Sequence, residues 1–167
     1  VEYLNNHPTL TIDTKFFEEI KDELLASFEN IDEEVNGVMI NSDNFGALNT
    51  IHQTYSNSID SIYIDPPYNT DSSKILYKNN YEHSSWLSLL DDRIRLAKQV
   101  LSHEGILCIT IDDYEAYRLW MGMEQIFGQE NYLGTAAIRI NPGGRKSKKE
   151  LALQHEYAMF FAKSSDV

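Results

Sequence analysis

The tetrapeptide Asp65-Pro66-Pro67-Tyr68 combines groups that could act together on a flat ring bearing an amino group. Two consecutive prolines fix the backbone φ angle and remove two N–H donors. The carbonyl groups of Asp65 and Pro66 are therefore free to accept hydrogen bonds from an exocyclic amine. The side chain of Asp65 is a further acceptor, and the ring of Tyr68 could cover the face of the bound ring.

The segment before this tetrapeptide is Ser61-Ile62-Tyr63-Ile64, which has the composition of a short buried strand. The carboxylate thus comes directly after the carboxyl end of a strand, the edge at which open α/β sheets bind ligands. Asp43 and Asp112 also follow predicted strands, at 38–40 and 106–111. We therefore expect acidic side chains to recur along one rim of a sheet.

The remaining periodicity predicts helices that alternate with strands. Further strands are predicted at 135–140 and 157–161. Helices are predicted over 15–30, after Asp43 or Asn44, from Ser84 or Ser85 to Gly105, and from Asp112 or Asp113 to Gly128. This order indicates an α/β domain over residues 35–167, with a mostly parallel sheet and flanking helices, preceded by an acidic N-terminal helical segment over residues 1–34.

The charge distribution is uneven. The net charge is −12, of which residues 1–34 contribute −8, from ten acidic and two basic side chains. The clearest basic cluster, Arg145 to Lys149, could contact phosphate or could be an ordinary solvated loop. The single cysteine, Cys108, excludes an internal disulfide and favours a reducing, cytoplasmic compartment.

The run from Tyr63 to Thr70 resembles the catalytic motif of amino-group DNA methyltransferases. An ordered set of further segments is similar to the adenine methyltransferase (Mod) subunits of type III restriction-modification systems. These segments are Ile40 to Phe45, Ala47-Leu48, Ser84 to Leu87, Asp92-Arg93, Gly105-Ile106, Ile111 to Asp113, Phe127-Gly128 with Asn131, His155 to Tyr157, and Ala162-Lys163. The resemblance implies a partial Rossmann-like fold and S-adenosylmethionine-dependent methylation of a flipped-out adenine at N6.

By this resemblance, residues of the chain take catalytic, cofactor-binding or substrate-binding roles. The catalytic residues would be Asp65, Pro66, Pro67 and Tyr68; the cofactor ligands Asp43 and Asp65; the substrate contacts Tyr68, Asn69 and Thr70. From the basic cluster, Lys146 and Lys148 are predicted as further substrate contacts, to phosphate. No metal is implied. The implied partners are DNA, a restriction subunit and a second modification subunit, with no membrane.

One departure from the family pattern concerns the cofactor. The glycine-rich loop that holds S-adenosylmethionine in the family has a GxG core, and none of the eight glycines here forms one. We therefore expect a fragment that lacks this loop, the target-recognition region and two sheet strands between 38–40 and 61–64, and that is inactive by itself. The edge of the 61–64 strand would pair with the 38–40 strand, gain a partner or stay poorly covered.

Several alternatives remain open from the residues alone. The chain could be a non-catalytic piece that assembles with a partner, or a metal-dependent hydrolase that uses Asp65, Asp112 and Asp113. Asp43 could be a helix N-cap, a cofactor ligand or both. The ring of Trp86 is expected in the core rather than stacked on a base.

Overall fold

The computed structural model describes residues 6–7, 13–70, 81–140 and 154–167. The chain divides into two compact units, Val1–Ile40 and Asn41–Val167. Among the described residues, none of the helices combines the length and apolar character needed to cross a membrane.

The described residues of the first unit form short helical turns rather than one helix. They are two 3₁₀ turns, Thr14–Phe16 and Glu18–Ile20, followed by helices α1 (Lys21–Ala26) and α2 (Ile31–Glu34). The continuous helix predicted over 15–30 is therefore wrong. The apolar side chains of Phe16, Phe17 and Phe28 are exposed, and an amphipathic stripe without a packing surface gives little stability to a long helix.

The second unit contains three helices and four strands among its described residues. The helices are α3 (Asn44–Ile51), α4 (His83–Val100) and α5 (Ala116–Phe127), and a 3₁₀ turn spans Gln129–Asn131. The strands are β1 (Ile59–Ile64), β2 (Leu101–Ile111), β3 (Tyr132–Arg139) and β4 (His155–Ala162). Gly128 ends α5 as predicted, with a positive φ of 93° that suits glycine.

The four strands form one sheet in the order β1-β2-β4-β3. β1 and β2 are parallel and are connected through α4, whereas β4 pairs antiparallel with both β2 and β3. The α/β class is confirmed, but the sheet is mixed instead of mostly parallel. Parallel neighbours need a long crossover, and in the described residues only the β1–β2 pair has one.

The core lies between the sheet and the two longer helices, which pack against each other. Its buried members are Trp86, Leu90, Ile94, Ala97, Leu101, Leu107, Ile109, Ile111, Leu119, Met123, Ile126, Phe127, Met159 and Phe161. The apolar positions of α4 recur at helical spacing, so one face of this helix is buried. This layer makes β2 and β4 a firm support for the rim of the sheet.

Two further sequence predictions differ from the structure. Residues 38–40 form no strand; Met39 is 98% exposed, and β1 has no neighbour on its outer edge among the described residues. Pairing of this edge with residues 38–40 is therefore wrong, while the other two alternatives, a partner chain or a poorly covered edge, stay predictions. Gly105 does not end α4, which stops at Val100. It lies in β2, where an added Cβ would sit 3.0 Å from the carbonyl oxygen of Ile59.

Candidate active site

The strand register brings Asp65 beside Thr110 at the rim of the sheet. Ile64 is aligned with Ile109 in the parallel β1–β2 pair, so the next residues of the two strands are neighbours. The buried Thr110 hydroxyl donates a hydrogen bond of 2.9 Å to Oδ1 of Asp65. Asp65 itself is exposed. This exposed residue therefore has one carboxylate oxygen held by a buried hydroxyl, and its catalytic role stays a prediction.

The backbone of the two prolines is held at one of its carbonyl groups. The indole Nε1 of Trp86 donates to the Pro67 carbonyl at 2.7 Å, and Trp86 is fully buried, which confirms its predicted core position. Within the described part of the chain, the Pro66 carbonyl has no donor. The acceptors that remain for a ligand are therefore the Asp65 carboxylate and the Pro66 carbonyl.

Tyr68 is held through its hydroxyl group. The hydroxyl donates to Oε2 of Glu156 at 3.1 Å, and the residue is half-buried. Burial raises the pKa of Tyr68 well above its ordinary value, and the carboxylates of Asp65 and Glu156 act in the same direction. Tyr68 is therefore a neutral phenol whose ring is held by a contact at its far end.

Asn69 is placed differently from its prediction as a substrate contact. It is 1% exposed and its side-chain amide is used within the protein. Its Nδ2 donates to the Tyr81 carbonyl at 2.9 Å and to Oε1 of Glu115 at 2.8 Å, while its Oδ1 accepts from the Tyr81 N–H at 2.7 Å. We therefore assign this amide to support of the motif instead of substrate contact.

The other predicted substrate contacts are less well defined by the structure. Thr70 is half-buried at the end of the motif and keeps its prediction. Lys146 and Lys148 lie outside the described residues, and so does most of the predicted loop between Asn69 and Tyr81. Their roles stay predictions.

Asp43 caps α3 and is paired with a cation. Its Oδ1 accepts from the Phe45 N–H at 3.0 Å, which confirms the N-cap alternative. Arg93, on α4, approaches both carboxylate oxygens at 3.4 Å. The cap fixes the position of the Asp43 carboxylate. Its other predicted role, as a cofactor ligand, requires a cavity next to this carboxylate that a cofactor could occupy.

A cavity of about 550 Å³ is bordered by both Asp43 and Asp65. Its walls come from α3, β1 and α4, and they include the apolar side chains of Leu48, Ile51 and Ile62. Cavities of this size and character accommodate small organic ligands. Apolar walls suit a flat aromatic base, and the two carboxylates suit hydroxyl groups and positive charge. The residues present thus fit S-adenosylmethionine, which carries an adenosine and a sulfonium cation.

The carboxylates after β2 are engaged in local structure. Oδ1 of Asp112 accepts from the Tyr114 N–H at 3.0 Å, which is a local turn contact. The predicted helix cap at Asp112 or Asp113 is wrong, because α5 begins at Ala116 and the residue before it is Glu115. Oδ1 of Asp113 accepts from the Tyr157 hydroxyl at 2.6 Å. Across the described ranges, no three histidine, cysteine or acidic side chains group closely enough to hold a metal ion. The geometry therefore lends no support to the metal-dependent hydrolase alternative.

Three supporting residues were not identified from the sequence as part of the site: Thr110, Glu115 and Glu156. A signal existed for Thr110, which is the polar residue in an otherwise apolar strand end and so needs a hydrogen-bond partner. Glu156 stood in a segment noted for its resemblance but without an assigned role. Glu115 follows a turn, and nothing in its local sequence indicates burial.

A family model described as DNA methylase, for N6 and N4 methyltransferases, matches residues 59–167. The type II methyltransferase M.KpnI of Klebsiella pneumoniae is 36% identical over 159 residues, covering 84% of this chain and 38% of the relative. The type III restriction-modification enzyme EcoPI Mod subunit of Escherichia phage P1 is 27% identical, covering 78% of this chain and 25% of the relative.

The fold also has a solved counterpart. The crystal structure of the M1.HpyAVI–SAM complex superposes with a TM-score of 0.50 at 17% identity, covering 74% of this chain and 53% of that chain. At this identity the likeness concerns the fold. The chain spans well under half the length of the curated relatives named above.

Proposed function

We propose, on the premise that this chain belongs to the N6/N4 DNA methylase family, that its site binds the exocyclic amine of a DNA base for methylation. The observation that carries the proposal is the pair of acceptors at the rim of the sheet. The Asp65 carboxylate has one oxygen held by Thr110, and the Pro66 carbonyl has no donor within the described residues. Their neighbours in the motif are held by other parts of the fold.

The chemistry of the amine explains why two acceptors are useful. An exocyclic amine is a poor nucleophile because its lone pair is delocalised into the ring. If Asp65 and the Pro66 carbonyl each accept one N–H, the nitrogen is drawn toward tetrahedral geometry and its lone pair becomes available. The enzyme's contribution is then chiefly alignment and electrostatic stabilisation. Bound in the cavity beside Asp43 and Asp65, S-adenosylmethionine supplies an electrophilic methyl group.

The transfer balances without a separate base. The nitrogen lone pair forms the N–C bond, and the electrons of the S–C bond remain on sulfur. As the nitrogen gains positive charge, one of its protons leaves through the hydrogen bond to Asp65. A strong base before attack is unnecessary, which agrees with an exposed aspartate as the acceptor.

A base in a duplex must leave the helix to reach this site, because its amine is otherwise buried by stacking and pairing. In this proposal Tyr68 stacks on the displaced base; the support is that its ring directly follows the two prolines and its hydroxyl is held by Glu156. Resemblance favours adenine N6 over cytosine N4 as the amine. We further propose that the full-length protein works in a restriction-modification system, with a restriction subunit and a second modification subunit as partners.

The test uses the full-length protein, duplex DNA and radiolabelled S-adenosylmethionine. We expect methyl transfer by the wild type and a loss of about 10²- to 10³-fold in kcat for Asp65→Ala, the range for removing one group that stabilises developing charge. Asp91→Asn, which breaks an ion pair with Arg95 on the outer side of α4, is the control and should keep full activity.

Two results would contradict the proposal: no transfer by the wild type, or an Asp65→Ala variant as active as the control. Mass spectrometry of the digested nucleosides identifies the amine. N6-methyladenine is expected, and N4-methylcytosine would contradict the choice of adenine while leaving the acceptor pair intact.

A further inference from the structure

Glu115 is a fully buried carboxylate that the proposed chemistry does not use. Three side chains donate to it: Asn69 at 2.8 Å and His83 at 2.7 Å, both to Oε1, and Arg118 at 3.2 Å to Oε2. A buried charge requires such partners, since desolvation is costly. The partners come from three separate segments: the end of the catalytic motif, the first residue of α4, and the first turn of α5.

Asn69 connects the buried Glu115 carboxylate to the catalytic motif. It has a positive φ of 62°, a conformation that asparagine tolerates better than most residues. Its side chain also bonds the N–H and the carbonyl of Tyr81, so Tyr81 lies directly beside Asn69. Tyr68 precedes Asn69 directly. Any loss of the contact between Asn69 and Glu115 therefore frees the backbone on which the Pro66 carbonyl and the Tyr68 ring are carried.

We propose that Glu115 is a positioning residue for methyl transfer, acting through Asn69 on the acceptor pair and on Tyr68. This inference rests on the proposed function. Trp86 and Glu156 hold Pro67 and the far end of Tyr68, but neither of these contacts fixes the backbone after Tyr68. The Asn69–Glu115 contact supplies that constraint. His83 and Arg118 donate to the carboxylate and so keep Glu115 in place.

The positioning role predicts that kcat depends on the contact more than the binding of either substrate does. A misplaced acceptor or a tilted ring reduces alignment in the transition state. The cofactor cavity, by contrast, is bordered by α3, β1 and α4, and Glu115 is not among its lining residues. We therefore expect the KM for S-adenosylmethionine to change little when Glu115 or Asn69 is altered.

The experiment compares two variants of the full-length protein with a matched control. Glu115→Gln keeps the shape of the side chain and removes its charge. Asn69→Gly keeps access to positive φ and removes the amide. Asn57→Gly is the control, because Asn57 is the other non-glycine residue with positive φ among the described residues, at 53°. Each protein is assayed for kcat, for KM with cofactor and DNA, for thermal unfolding, and for hydrogen exchange at the Tyr81 amide.

We expect Glu115→Gln and Asn69→Gly each to lower kcat at least tenfold, with less than a twofold change in the cofactor KM. The double variant should lose about as much as the more severe of the two single variants, since both changes disrupt the same Asn69–Glu115 contact. Exchange at Tyr81 should accelerate in both variants, and Asn57→Gly should match the wild type.

Three outcomes would overturn the inference. Faster exchange or a lower melting temperature with unchanged kcat would make the contact a stabilising one only. Unchanged exchange in Asn69→Gly would show that the amide does not hold this segment. An inactive wild type would refute the proposed function itself and, with it, the positioning role; it is distinguished from the other two because no variant needs to be compared.

Discussion

Replacing Thr110 by valine tests whether the acceptor carboxylate must be held before the amine arrives. Thr110 is 4% exposed, and its hydroxyl lies 2.9 Å from Oδ1 of Asp65 and 3.4 Å from the Ile64 carbonyl. Valine has a similar shape and suits a strand, so the change removes chiefly the hydrogen bond. A hydrogen bond to a charged group contributes about 1.5–3 kcal/mol.

The exposed position of Asp65 reduces this figure, because water can replace the lost donor. We therefore expect a cost of about 1–2 kcal/mol in transition-state stabilisation, which corresponds to about a five- to thirtyfold decrease in kcat/KM. The measurement is the initial rate of methyl transfer by the full-length protein. Thr110→Ser keeps the hydroxyl and should recover most of the activity.

The matched control is Thr135→Val on β3, where the threonine hydroxyl bonds Tyr132 in an exposed part of the sheet. This variant should retain wild-type kcat/KM. The free energy of unfolding of Thr110→Val should stay within about 1 kcal/mol of the wild type. If a folded Thr110→Val protein loses less than twofold in kcat/KM, the carboxylate does not need its held oxygen, and the reasoning from this contact is refuted.

Two further predictions concern Tyr68. Glu156→Ala removes the acceptor that holds the Tyr68 hydroxyl and should weaken DNA binding by about three- to tenfold, the effect of about one hydrogen bond. Glu156→Gln keeps an acceptor oxygen and should weaken DNA binding less. Equal losses of affinity for the two variants in a DNA titration would contradict the role of this contact. Because burial raises the pKa of Tyr68 in the folded state, its stabilising contribution is complete below about pH 10, the ordinary tyrosine value, and is lost as the pH rises above it. Denaturant titrations from about pH 9 to 11 should show a steeper fall of the unfolding free energy for the wild type than for Tyr68→Phe, and parallel curves would rule this out.

The elements around the motif could be predicted because local pattern and final structure agree there. The apolar run at 61–64 became β1, and Leu90, Ile94 and Ala97 of the predicted stripe lie on the buried face of α4, whereas Leu101 begins β2. The strand at 106–111 and the stop at Gly128 followed the same logic. The helices and β2 bury a face against the core, so hydrophobic periodicity and burial agree there. The prediction that 61–64 is a buried strand holds only in part, because Ile62 and Ile64 are half-buried and Tyr63 is 66% exposed.

Predictions were wrong where an apolar pattern had no surface to pack against. Residues 38–40 are apolar, yet among the described residues no strand lies beside them, and a strand needs a hydrogen-bonded neighbour. The N-terminal segment has helical periodicity, yet its phenylalanines are exposed and the helix is broken into turns. The composition of these segments is compatible with a helix or a strand, but such an element forms only where its apolar side chains can be buried.

The acceptors were evident from sequence because they lie in four consecutive residues, whereas their supports come from distant parts of the chain. Thr110 lies 45 residues beyond Asp65, and Glu156 lies 88 residues beyond Tyr68. Only the register of β1, β2 and β4 brings them to one rim. The proposed chemistry requires acceptors that are held in place before the substrate arrives. That chemistry can be inferred from the short motif, but the rigidity on which it depends is a property of the assembled sheet.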